Sequence, residues 1–109
     1  MGMPFNPSVL TPDFQLIRIN VAWQGGSELF LEANPNRVSF VLSAQLLSDI
    51  YFGPFVDISN PGDLFLPRNS APFKATYAEF GAIIGYPWYF RPDGGGFATG
   101  FQVVYQPQR

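Results

Sequence analysis

The chain has 109 residues and a net charge of −2, with Phe, Tyr and Trp at 17% and neither histidine nor cysteine. Those two absences remove the usual acid–base group near neutral pH, the softer metal ligands and all disulfide stapling, so most hydrolytic, redox and zinc chemistry lacks its customary parts. Six basic residues stand singly rather than in a stripe able to neutralise a phosphate backbone, and no apolar run approaches the roughly 20 residues that span a bilayer, so neither nucleic acid nor a membrane is an expected partner.

The opening MGMPFNPSVLTPD has no basic region followed by an apolar stretch, and so does not read as a secretory signal. Pro4, Pro7 and Pro12 disfavour both helix and ladder pairing, whereas Met3, Phe5, Val9 and Leu10 gain from leaving water. Residues 1–13 therefore read as an extended N-terminal arm suited to a partner, and 14–109 as a single β domain.

In FQLIRINVAW, Ile17, Ile19, Val21 and Trp23 share one face, a period of two that predicts a strand. QGGS breaks it at 24–27. ELFLEA follows, and placing Leu29, Leu31 and Ala33 inward is the cheaper register because it leaves Glu28 and Glu32 in water. NPN at 34–36 is a turn signal. NRVSFVLSA then predicts Val38, Phe40 and Leu42 inward, with Arg37, Ser39 and Ser43 outward. Segment 44–49 is the one place expected to hold a helical turn. IYFGPFVDI is a strand interrupted by Gly53-Pro54, and IIGYPWYF carries Pro87. Since proline cannot donate to a ladder, both predict an edge, a bulge or a bend.

SNPGD at 59–63 reads as a turn, and DLFLP as a short strand ended by Pro67. FKATYAEF alternates as a strand. RPDGGG at 91–96 has the composition of a hairpin loop, and GFQVVYQ closes the chain with Phe101, Val103 and Tyr105 on one face. Seven or eight short strands at about 10-residue spacing predict an all-β single-domain sandwich, jelly-roll-like, with an open β-barrel as the alternative.

None of the constellations carries catalysis or a cofactor. Glu28 and Glu32 are four apart on one strand, roughly 13 Å by strand rise, too far for paired carboxylate chemistry. DISNPGD at 57–63 lacks the spacing of a calcium loop and reads as a turn held by Asp and Asn side chains. RPDGGGFATG has no following helix and no Lys-Ser/Thr, so it is not a phosphate loop. Trp23, Tyr86, Trp88 and Tyr89 could stack on a sugar, although a core role suits the tryptophans better and alternation sends Trp88 and Tyr89 to opposite faces. No catalytic, cofactor-binding or metal-ligating residue is therefore expected. Charged residues make up 13% of the chain, about half the typical share of roughly 25%. Such a surface is poorly defended against association, which predicts an assembled subunit.

The order of several pieces resembles a family of small β-rich virion proteins of tailed bacteriophages. These pieces are Asn36-Arg37-Val38, Ile50-Tyr51-Phe52-Gly53-Pro54, Gly62-Asp63-Leu64-Phe65-Leu66-Pro67, Trp88-Tyr89-Phe90, Gly94-Gly95-Gly96 and Val103-Val104-Tyr105. They span residues 36–106, and the strands in 14–33 have no counterpart in the pattern. The resemblance implies a non-enzymatic structural subunit of the virion, assembled in the host cytoplasm. In that role it would decorate or cement the capsid by binding the major capsid protein, as a homo-oligomer such as a trimer. A tail or baseplate component is the alternative within that class. A carbohydrate-binding module using Trp23 or Trp88 is the alternative from another class.

Overall fold

The computed structural model describes residues 13–56 and 64–106. Within them, eight strands form two antiparallel four-stranded sheets. One has the order β1 (Asp13–Ala22), β8 (Phe97–Gln106), β3 (Arg37–Leu42), β6 (Phe73–Thr76). The other has the order β2 (Glu28–Leu31), β7 (Trp88–Pro92), β4 (Ile50–Gly53), β5 (Leu64–Leu66). A one-turn helix, α1 (Tyr77–Phe80), continues into a 3-10 turn over Gly81–Gly85. The architecture is all-β and sandwich-like, as the alternation predicts.

The pairing is nested. β4 pairs with β5, β3 with β6, β2 with β7 and β1 with β8. The chain thus doubles back as one antiparallel ribbon with its tip between β4 and β5. Two further pairings, β3 with β8 and β4 with β7, roll that ribbon into the two layers. As a result the chain changes sheet at every connection except β4–β5. This corrects the expectation for RPDGGG: β7 and β8 lie in different sheets, so its glycines carry the chain between layers rather than around a hairpin.

Other expectations are also corrected. Asp13 belongs to β1, opposite Gln106, so the arm can comprise at most residues 1–12, which lie outside the described residues together with 57–63 and 107–109. Segment 44–49 is a loop, its backbone tied across to distant residues rather than into a helical turn: Ser43 N–H, just before it, donates to Thr99 O of β8, and Asp93 N–H donates to Asp49 O. Helix appears instead at 77–80, where FKATYAEF reads as strand. There Gly81, at φ 60°, donates its N–H to Tyr77 O and closes the turn.

β4 is an interior strand that ends at Gly53, so the missing N–H of Pro54 falls outside the ladder. Pro87 likewise precedes β7, which is also interior. These prolines delimit strands rather than marking edges. In β2 the register is broken by a bulge between Leu29 and Leu31, which buries Phe30 and Leu31 together and leaves Leu29 outside. The larger Phe30 ring takes the core position that simple alternation assigns to Leu29.

The core lies between the sheets, where a connected set of aromatic rings packs among buried aliphatic side chains. Phe40 of β3 meets Trp88 of β7 at 4.8 Å between ring centroids and Phe30 of β2 at 5.7 Å, both edge-on. Phe52 meets Phe73 at 4.8 Å, and Phe80 closes on Trp88 at 5.6 Å. Edge-to-face contacts of this kind add to the stabilisation from area burial. Phe40 is completely buried, as its place in NRVSFVLSA predicts. Phe40→Ala is expected to cost about 3–5 kcal/mol in denaturant unfolding; a loss below about 1 kcal/mol would mean that the two layers do not depend on this ring.

Candidate interaction surfaces

Alternation along β1 sends Ile17, Ile19 and Val21 toward the core, so Phe14, Leu16, Arg18 and Asn20 face out. Opposite them on β8 stand Tyr105, Val103, Phe101 and Thr99, and on β3 Val41 lies opposite Phe101. Phe14 is 58% exposed, Leu16 66% and Phe101 37%. The Phe14 ring meets Tyr105 edge-on at 5.8 Å. The inward positions of β8 are Ala98, Gly100, Gln102 and Val104. Gly100 sits at φ +150°, and a Cβ there would lie 1.9 Å from Val41 O. β8 therefore keeps small groups inside at Ala98 and Gly100 while Phe101, Val103 and Tyr105 stand outside, so both of its sides carry apolar residues. Arg18 and Lys74 are the charged side chains at the paired outward positions of this sheet, and no carboxylate stands among those positions.

At the end of the sandwich where β1 finishes, the loops 43–49 and 93–97 enclose a cleft of about 480 Å³. Gln45, Ser48, Gly95, Phe97 and Thr99 are among its walls. Ser48 is buried, donating to Gly95 O and accepting from Gly94 N–H. The Gln45 amide oxygen accepts from Phe97 N–H at 3.2 Å, and its Nε2 is buried with no partner among the described residues. Gly96, at φ +121°, leaves the room that Gln45 occupies, since a Cβ there would fall 1.9 Å from Oε1. Leu46 and Leu47, at 74% and 82% exposure, project from the rim.

Beside this cleft, Asp49 accepts the Arg68 N–H at 2.8 Å and the Arg68 Nε at 3.2 Å, and Arg68 reaches Asp93 at 3.4 Å. The backbone N–H of Arg68, followed by its guanidinium, holds the Asp49 carboxyl below its ordinary value. A carboxyl depressed in the folded state adds stability that is present above its unfolded value and is lost as pH falls through the folded one. Thermal scans taken downward from about pH 5 should therefore show a falling midpoint below about pH 4, and Asp49→Asn should flatten that acid limb.

The opposite end is organised by Arg37. The sequence pattern places it outward, yet it is only 2% exposed. A register break between Arg37 and Ser39 turns the side chain inside. Its Nε donates to Gln102 Oε1 at 2.9 Å, Nη1 to Ile84 O and Tyr86 O at 2.9 Å each, and Nη2 to Glu32 O. Burial pushes the guanidinium down to about 10, so it remains charged at neutral pH. One side chain thus ties β8, the 3-10 turn and the β2–β3 loop to β3. Arg37→Ala leaves three buried or half-buried carbonyls without that donor. It should cost about 3–5 kcal/mol, and Arg37→Lys should recover only part of it because a point charge cannot reproduce the fork. Chemical denaturation of the three proteins checks this.

Among the sequence candidates, Trp88 is wholly buried and cannot stack on a ligand. Trp23 is half-buried near Gly95, with Nε1 donating to Gly26 O at 2.7 Å. Tyr86 is exposed at the Arg37 end, so no sugar platform joins the two. Glu32 is exposed and Glu28 half-buried, its carboxylate accepting from Gln24 N–H. The turn at 57–63 lies outside the described residues. No group of three Asp or Glu able to hold a metal ion occurs among the described residues. The sequence reading missed the Asp49–Arg68–Asp93 cluster and the Arg37 clamp, which join residues far apart in the chain. No protein-family model matches the chain, and neither does any curated protein or solved structure.

Proposed function

We propose that this chain is a non-enzymatic structural subunit of a tailed-phage particle, a jelly-roll domain that decorates or cements the capsid by binding the major capsid protein. The observation that carries this reading is the apolar outward face of the β1-β8-β3-β6 sheet. Phe14, Leu16 and Phe101 stand in water there on a rigid two-layer body, and exposed apolar faces of this kind mark contact sites. The nested pairing supports the jelly-roll assignment, since an eight-stranded ribbon rolled into two sheets is how that fold, frequent in capsid subunits, is built. The low charge and the order of motifs along 36–106 point the same way. Burial of Trp88 weakens the carbohydrate-binding alternative.

The test is attachment. Purified protein is mixed with particles lacking it and sedimented, alongside a Phe101→Glu variant whose circular dichroism matches the parent. The parent is expected to co-sediment with capsids, and the variant to lose at least about tenfold in affinity, the effect of forcing an uncompensated charge into an apolar contact. Sedimentation with isolated tails alone would move the assignment to a tail or baseplate role. Saturable binding to immobilised glycans that Trp23→Ala abolishes would replace it with a sugar-binding one.

A further inference from the structure

The exposed edge of β1 is unusually complete. β1 runs ten residues, Asp13–Ala22, at the end of its sheet and pairs with β8 in an unbroken register. It contains no proline and no bulge, and its charges are Asp13 at its start and Arg18, so it carries few of the devices that ordinarily blunt an edge strand of this length. The other edges are defended among the described residues. β2 has four residues and a bulge, β5 has three residues, and β6 ends after four residues in α1. One side of β1 therefore offers a row of backbone donors and acceptors facing away from β8, flanked by the exposed Phe14 and Leu16.

We propose that a second copy of this chain occupies that edge, β1 pairing antiparallel with β1 of its partner about a two-fold axis at Leu16 to give one continuous eight-stranded sheet. Charge and side-chain geometry select the register. In an antiparallel ladder, directly opposed residues point to the same side. An axis at Arg18 would set two guanidinium groups against each other on the outward face. An axis at Leu16 sets Leu16 against its own copy and Arg18 against the Phe14 ring, a favourable cation–π geometry. Residues 13–19 then pair along both strands, and the outward apolar faces of the two copies merge. The two-fold also ends the assembly at two copies, because among the described residues each chain has a single long open edge and the pairing uses both. This inference stands apart from the capsid reading and would survive its failure.

The absence of cysteine makes the test clean. Leu16→Cys places one thiol at the axis, where opposed Cα atoms lie about 4.5–5.5 Å apart, within disulfide reach. Tyr77→Cys, on the exposed surface of α1, serves as the collision control. Under mild oxidation, Leu16→Cys is expected to form covalent dimer at least about tenfold faster than the control, because a held pair reacts at an effective concentration near the millimolar range. Sedimentation equilibrium should give a dimer for the unmodified chain. A Leu16→Lys variant that keeps the parent circular dichroism should run as a monomer. A parent that is monomeric or trimeric at micromolar concentration would overturn the proposal. So would equal cross-linking rates at positions 16 and 77, which remain informative even if Leu16→Lys fails to fold.

Discussion

The contact between Phe40 and Trp88 holds the two layers of this sandwich together. Their centroids lie 4.8 Å apart across the interlayer space, and both side chains are wholly buried. Phe30, Phe52, Phe73, Phe80 and Phe90 extend the cluster, each through an edge-on or tilted contact with at least one other ring. The chain has no disulfide to limit its unfolded state. It also has few charges and short strands that could not stand as isolated hairpins. Cross-sheet burial of these rings, with the aliphatic side chains packed among them, is what remains to offset the entropy of ordering the chain. The nested pairing depends on this, since the connections between layers are loops whose position is fixed only when the facing rings interlock.

Two polar arrangements fix the ends. Arg37 closes one end as a buried cation facing carbonyl dipoles and an amide rather than a carboxylate. Such a site tolerates no loss of partners, because the charge has left water for fixed hydrogen bonds. The other end is held by exposed ion pairs of Arg68 with Asp49 and Asp93, which salt screens and which contribute little individually. The loops there are further joined by backbone bonds, including Trp23 N–H to Gly96 O and Asn69 N–H to Gln45 O. The two ends therefore differ in kind, one set by a buried charge and the other by a surface lattice sensitive to acid and salt.

Period-two alternation was legible wherever a strand had one dry side. Ile17, Ile19, Phe40 and Leu42 could be read inward from the sequence because each has at least one polar neighbour: Arg18 beside both isoleucines, Ser39 beside Phe40 and Ser43 beside Leu42. Alternation misled where a bulge intervened. At Leu29–Leu31 and again at Arg37–Ser39, one residue out of step reverses the facing of those before it. It was silent on β8, where both sides carry apolar residues. There the signal lay in size rather than polarity: Ala98 and Gly100 mark the side that lies close against β3 and the core, and Phe101, Val103 and Tyr105 the side with room. The pairing of distant strands, and with it the Asp49–Arg68–Asp93 cluster, has no local trace, because it follows from a ribbon closing on itself over most of the chain.

That difference in size on β8 bears on how the outward face can be used. The protein is acidic overall, yet the charged outward positions of this apolar face are Arg18 and Lys74. On the proposed reading, a partner surface would be selected twice: by apolar shape against Phe14, Leu16 and Phe101, and by the sign of the charge around it. Cationic groups at an apolar rim repel basic surfaces during encounter while costing little once docked, provided that they stay at the wet margin or lie over an aromatic ring. Gly100 connects this face to the fold. Because β8 can approach Val41 only without a Cβ at that position, the outward tilt of Phe101 and the packing of β3 are set by the same backbone contact. A side chain at residue 100 would disturb the core and the outward apolar face together.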